Sequence, residues 1–145
     1  MNKIIQNEIK CLKCSDIIYS GHRHDFKSCS CGAVSVDGGM DYFKRSGNRE
    51  DWEERSLLTD LETLKNCIKL VESCQKDGAG AESLSEIIAY EYGDFLSDPI
   101  EIWNKLEEAV IWAIENNRNS TGIVLAVIRA MRDNGVLNME KFNQD

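Results

Sequence analysis

The sequence predicts an α+β chain in which a small β module, residues 1–49, is followed by a four-helix bundle, residues 50–145. Three observations carry that reading. Four of the six cysteines fall early, as Cys11, Cys14, Cys29 and Cys31, in the pattern C-x2-C-x14-C-x-C. The apolar period changes from about two to about 3.6 near Glu50, the change that separates strands from amphipathic helices. Charge divides at the same place: residues 1–49 hold eight Lys/Arg against five Asp/Glu, a net +3, and residues 50–145 hold nine against twenty, a net −11.

Composition narrows the class further. With 42% hydrophobic and 29% charged residues among 145, the chain sits near the globular average rather than in the disordered range. A single proline and ten glycines are too little backbone punctuation for a collagen-like chain or a many-turned β-sandwich. The longest apolar run, from Ile123 to Ile128, is six residues, far below the roughly 20 that a bilayer demands, so no membrane partner is expected. The opening MNKIIQNEIK has no apolar core or small-residue cleavage site, which points to a reducing, cytoplasmic location.

In the N-terminal module, Asp16 to Tyr19 is rich in β-formers, Ser20-Gly21-His22 reads as a turn, and Ala33 to Val36 leads to the turn Asp37-Gly38-Gly39. Paired cysteines on two short turns are how a chain delivers four thiolates to one tetrahedral Zn2+, and a four-thiolate shell leaves no open position for a reacting water. The layout is that of a zinc ribbon, with Cys11, Cys14, Cys29 and Cys31 as ligands of a structural zinc. A module this small gains much of its stability from the metal. Two alternatives stay open: disulfide pairing, which a reducing compartment disfavours, and replacement of one cysteine by His22 or His24, to which the tight Cys29-Ser30-Cys31 spacing gives room.

The stretch IKCLKCSDIIYSGHRHDFKSCSCGAVSVDGGMDYFKR resembles a domain of unknown function common in small proteins of bacteriophages and prophages. Its pattern runs C-x-x-C-G-D-x-I-x-S, then R-H-D-F-x-x-C-x-C-G, then V-D-G-G-x-x-Y-x-R-R. Here Cys11, Cys14, Asp16, Ile18, Ser20, Arg23, His24, Asp25, Phe26, Cys29, Cys31, Gly32, Val36, Asp37, Gly38, Gly39, Tyr42 and Arg45 match, over residues 9–45. Ser15 stands where the family has Gly, which questions whether that turn needs a positive φ, and Lys44 stands where Arg is usual. The resemblance implies phage or prophage origin and zinc binding. It implies no particular activity.

The polar residues of the module admit three readings. Arg23, His24, Asp25, Asp37 and Asp41 could form a small buried network tying the strands around the metal. His22, His24 and the aspartates could instead build a second, open metal site, making the module a metal-dependent hydrolase. Lys10, Lys13, Arg23, Lys27, Lys44, Arg45 and Arg49, interleaved with Tyr19, Phe26, Tyr42 and Phe43, could present a nucleic-acid surface.

In the acidic half, Leu57, Leu61, Leu64, Ile68 and Val71 place one stripe along a helix from about Asp51 to Lys76, closed by Gly78. Cys67 and Cys74 lie on it, too far apart to bridge, and read as buried apolar packing. Residues 76–81, KDGAGA, form a connection and not a phosphate loop. Ser83 with Glu86 reads as a capping box for a second helix with Leu84, Ile87, Ile88 and Phe95 inward. Asp98-Pro99 opens a third, burying Trp103, Leu106, Val110 and Ile114. Thr121 caps a fourth, with Val124, Leu125, Ile128 and Met131 inward and Gly135 as its stop. Glu107 and Glu108 lack histidine partners and read as solvated. Trp112 and Tyr90 fall off the main stripes, as anchors for a partner would. The functional expectation is a phage-derived, non-enzymatic zinc protein that binds and modulates a host macromolecule, a defence or transcription component. Its partner is a host protein contacted through the acidic half, with nucleic-acid binding by the basic module as the alternative.

Overall fold

A computed structural model describes residues 2–98 and 100–142. The chain is mixed α and β, an N-terminal antiparallel sheet region followed by helices, and its contacts group it into two compact units, one through Thr59 and one from Asp60 onward.

The first unit is built on a strand the sequence reading missed, β1 (Asn2–Cys11). Ile4, Ile5 and Ile9 are buried, but so are Gln6, Asn7 and Glu8 between them, so the two-residue alternation that marks a half-exposed strand is absent. Antiparallel to β1 run β2 (Ile17–Ser20), with Asn7 opposite Ser20 and Lys10 opposite Ile17, and the later strand Trp52–Glu54, with Cys11 opposite Trp52. A smaller antiparallel sheet joins β3 (Lys27–Ser28), β4 (Ser35–Asp37) and β5 (Lys44–Ser46) in that order. Trp52–Glu54 is β6, and β7 (Leu57–Asp60) also pairs with β1. Ile9, Cys11, Cys29, Val34, Val36 and Trp52 form the buried cluster of this unit, with Cys14, Ile18 and Ala33 packed against it.

Residues 52–54 and 57–60 are therefore strands, and the helix expected from Asp51 begins ten residues later. Leu57 belongs to a strand, and its spacing to Leu61 imitates a helical step. The helix α1 (Leu61–Lys76) starts where the Asp60 carboxylate accepts the Thr63 backbone N–H at 3.0 Å, and it buries Leu64, Cys67 and Val71. Gly78 ends it as expected, with φ +85°. Cys67 is fully buried, but Cys74 is only half-buried.

In the second unit, α2 (Ala81–Glu91) begins after Gly80, ahead of the expected capping box. Ser83 makes no cap, while the Ser85 hydroxyl donates to the Glu82 carbonyl. Phe95 lies in a 3-10 turn after the helix, ringed by Tyr92 and Phe142. The Asp98 carboxylate accepts the Ile100 backbone N–H, and Pro99 lies outside the described residues. Then α3 (Trp103–Glu115) buries Leu106, Val110 and Ala113. Ile114, expected inside, is exposed because Ala113 takes the inward position beside it. Asn119, not Thr121, caps α4 (Ser120–Asp133), its side chain accepting the Gly122 N–H at 2.9 Å. Gly135 ends that helix as the sequence suggests, with the Val136 N–H bonded to the Met131 carbonyl. A short α5 (Met139–Phe142) makes five α-helices among the described residues instead of four, carrying Phe142 into the core. The helices α3 and α4 pack together, and α1 and α2 close the group. Among the described residues, no helix is long and apolar enough to cross a membrane.

Candidate metal centre

The end of β1 supplies Cys11, and the tight turn after it supplies Cys14. The Ser15 N–H bonds the Cys11 carbonyl at 2.9 Å, and the Cys11 N–H bonds the Asp16 carbonyl at 2.8 Å. Ser15 closes this turn with φ +66°, so the position does require the left-handed conformation that glycine adopts freely. The second turn lies between β3 and β4, where the Gly32 N–H bonds the Cys29 carbonyl and the Cys29 N–H bonds the Val34 carbonyl. Asp16 joins the two turns, its carboxylate accepting the Ser30 N–H at 2.7 Å. The Ser30 hydroxyl, together with that backbone N–H, holds the Asp16 carboxyl below its ordinary value.

These turns bring the sulfurs of Cys11, Cys14, Cys29 and Cys31 to within 4.8 Å of one another. Sγ of Cys31 is 3.5 Å from that of Cys29 and 3.7 Å from that of Cys11. A tetrahedron with arms of about 2.3 Å, the zinc–sulfur distance, has edges of about 3.8 Å. The cluster fits a metal ion of that size and preference, and the Cys14 N–H, 3.5 Å from the Cys11 sulfur, is placed to offset thiolate charge. Cys11 and Cys29 are buried in the apolar cluster while Cys31 is exposed, so the site has a dry wall and an open side.

The thiols hold their protons unequally. A hydrogen bond with the Asp16 backbone, helped by Cys31, Ser30 and Cys11, lowers Cys14 to about 6. The Ala33 backbone pulls Cys31 down, but its bond with Cys29, desolvation and the Cys11 and Cys14 sulfurs outweigh that and push it up to about 12. Loading a metal must therefore displace the Cys31 proton.

The histidines stand apart from the sulfurs. His22 Nδ1 lies 3.1 Å from the Arg23 carbonyl, and His24, at φ +65°, has its Nδ1 3.2 Å from the Tyr42 hydroxyl. Among the described residues, no group of metal-ligating side chains other than the four cysteines converges closely enough to hold an ion; Glu107 and Glu108 also form none. The expected buried network is corrected as well. Arg23 and Asp41 are exposed and 4.0 Å apart, the Asp25 carboxylate accepts the Gly21 N–H, and that of Asp37 accepts the Gly38 N–H.

The network that does tie the strands was missed. Buried Asn7 donates to the carbonyls of Asp37, Gly39 and Tyr42, and accepts from Arg45 at 2.7 Å. Arg45 grips Glu54 through two nitrogens, at 2.6 and 3.1 Å, and donates to Ser56, while Arg55 pairs with buried Glu8 at 3.0 Å. The signal was the polar run Gln6-Asn7-Glu8 inside an apolar strand. Gly38 and Gly39 serve this loop: at φ +110° and +54°, a Cβ on the first would meet the Tyr42 carbonyl and on the second the His22 backbone. Ser20 Oγ donates to the Asp25 carbonyl and accepts the Gly39 N–H.

Residues 3–47 match the family model of a domain of unknown function (DUF7695). The match spans the four cysteines, the Asp37-Gly38-Gly39 loop and Arg45, and stops before the Glu54 and Ser56 partners of Arg45, which lie at the end of β6 and in the link to β7. No curated protein and no solved structure matches the chain.

The basic candidates are mostly engaged by carboxylates. Lys13 pairs with Asp51 and Lys27 with Asp25, Arg45 is committed to Glu54, and Arg49 donates to the Trp52 carbonyl. Lys27 also sits 4.5 Å over the Tyr19 ring, and Tyr19, Phe26 and Phe43 are exposed. In the acidic unit Tyr90 and Trp112 are exposed, with Arg118 5.5 Å over the Trp112 ring.

Proposed function

We propose that this is a phage-derived, non-enzymatic zinc-binding interaction protein acting in the host cytoplasm: a zinc-ribbon-like module whose metal holds its fold, joined to an acidic helical bundle that binds and modulates a host protein of a defence or transcription system. The observation that carries the zinc is the approach of four sulfurs, with separations of 3.5 and 3.7 Å, at the spacing of a thiolate tetrahedron. Cys11, Cys14, Cys29 and Cys31 would hold the ion, which would supply crosslinking of the two turns. Phage origin rests on the resemblance of residues 9–45. His22 and His24 bond to a carbonyl and a phenol, so the metal-hydrolase alternative finds no converging ligand set among the described residues.

Contact through the acidic half is favoured by the net −8 of residues 60–145 and by exposed Tyr90 and Trp112, because such a surface steers toward basic patches and an aromatic anchor supplies the affinity. The basic module keeps a nucleic-acid alternative through Tyr19, Phe26 and Phe43, weakened by the pairing of its cations with carboxylates. Capture from host lysate by the zinc-loaded full chain tests the choice. Capture should fall with added salt and fall again when exposed bundle carboxylates are replaced by amides. Capture that ignores the carboxylates but fails in Lys10→Gln/Lys44→Gln would return the contact to the N-terminal module.

A further inference from the structure

At the C-terminal end of α2, a groove of about 750 Å³ opens between that helix, the turn that follows it and the first residue of α3. Its volume is that of a ligand pocket. Tyr90, Leu96 and Trp103 give it apolar and aromatic walls, and Tyr90 is 85% exposed. Glu86, Glu91 and Asp94 line it as well, and none of the three carboxylates has an ion-pair partner among the described residues. Lys141 donates to the Asp94 backbone carbonyl, leaving the Asp94 carboxylate unpaired. Among the described residues these carboxylates do not converge into a metal-holding group, and Glu91 stands between the groove and α1, where its charge also acts on Cys67. The end of α2 adds the partial negative charge of its terminal carbonyls.

We infer that this groove receives an extended lysine- or arginine-bearing segment of a partner protein, with a cationic side chain between the Tyr90 and Trp103 rings and its neighbours along the carboxylates. The inference rests on the proposal that the acidic unit is the contact surface, and it names where on that surface the contact is made and with what chemistry. Cations are attracted to the faces of tyrosine and tryptophan rings, and the surrounding carboxylates supply charge that the rings lack. The same lining repels phosphate, which sets nucleic acid and anionic lipid against this site.

The test uses the zinc-loaded full chain and a fluorescein-labelled hexa-arginine peptide, read by fluorescence anisotropy at about 0.15 M salt, where exposed charges more than about 8 Å apart are largely screened. Binding should weaken about fivefold in Tyr90→Ala, an exposed position whose loss leaves the fold intact, and about tenfold or more in Glu86→Gln/Glu91→Gln/Asp94→Asn. A control with the same charge change elsewhere, Glu72→Gln/Glu108→Gln/Glu115→Gln, should stay within about twofold. Equal weakening by the two triple variants would overturn the groove while leaving contact through the acidic unit standing. No binding by the wild type, or preference for hexa-glutamate or single-stranded DNA, would also overturn it. Self-association of the wild type that disappears in the groove variant would assign the groove to a second copy of the chain instead.

Discussion

Ser15 occupies a left-handed position directly after Cys14, where a side chain is strained by about 1–2 kcal/mol. Ser15→Gly should therefore stabilise the first unit by about 1 kcal/mol in denaturant unfolding; unchanged or lower stability would mean that its hydroxyl contributes more than the strain costs. Gly38 is the reverse case. Gly38→Ala would drive a Cβ to within 1.9 Å of the Tyr42 carbonyl at φ +110°, and should cost about 3 kcal/mol or more. Arg45→Lys keeps the charge but loses the two-pronged grip on Glu54 and the bond to Asn7, at a cost of about 2 kcal/mol. The resemblance flagged the glycines and Arg45, yet their reasons lie in contacts with Asn7, Glu54 and Ser56, which sequence spacing does not reveal.

At the scale of elements, the cysteine turns were the most legible part of the chain, because two short Cys pairs can converge only when both turns are tight. The helices were legible in their buried stripes and their glycine stops, and less so at their starts. Leu57 and Leu61 differ by one helical step, although a strand and a helix meet between them, at Asp60. Asp60 decides the boundary by accepting the Thr63 N–H, and that bond holds its carboxyl below the ordinary 3.8. Because the folded value is depressed, its stabilising effect is present above the unfolded value and fades as pH falls through the folded one. Asp60→Ala should lower the Tm of the helical unit by several degrees at neutral pH, with the difference from wild type shrinking at acid pH. A penalty that persists undiminished at low pH would remove the cap from the account. Asp16 links the two cysteine turns through Ser30, and Asp16→Ala should weaken zinc affinity by about tenfold to a hundredfold without changing stoichiometry.

Across the whole molecule, charge and chemistry are partitioned. One unit holds four of the six cysteines, and cations there pair with carboxylates; the other, residues 60–145, carries a net −8, and exposed aromatics occur on both. The division into sheet and helix was readable from the change in hydrophobic period, but its place was not: charge turns acidic at Glu50, whereas the first α-helix begins at Leu61. The strands beyond Glu50 were not readable, since Trp52–Glu54 and Leu57–Asp60 are short and gain their stability from pairing with the distant β1. If the thiolates hold zinc, affinity must follow their protons: hydrogen bonding holds the Cys14 thiol below its ordinary value, whereas the Cys31 thiol is pushed up and must give its proton up. Zinc affinity in competition with a chelator should fall about tenfold per pH unit for each proton displaced as the solution is acidified, and a pH-independent affinity would contradict thiolate ligation.

The most direct measurement is native mass spectrometry of the purified chain, paired with alkylation mapping before and after chelation. The account predicts one zinc per chain, with Cys11, Cys14, Cys29 and Cys31 protected until the metal is removed. Cys67, fully buried and pushed up to about 12 chiefly by that burial, serves as the internal control for folding and stays unmodified while the helical unit is intact. A metal-free chain in which Cys67 remains protected while the other four are freely alkylated, with the β unit still folded, would contradict it.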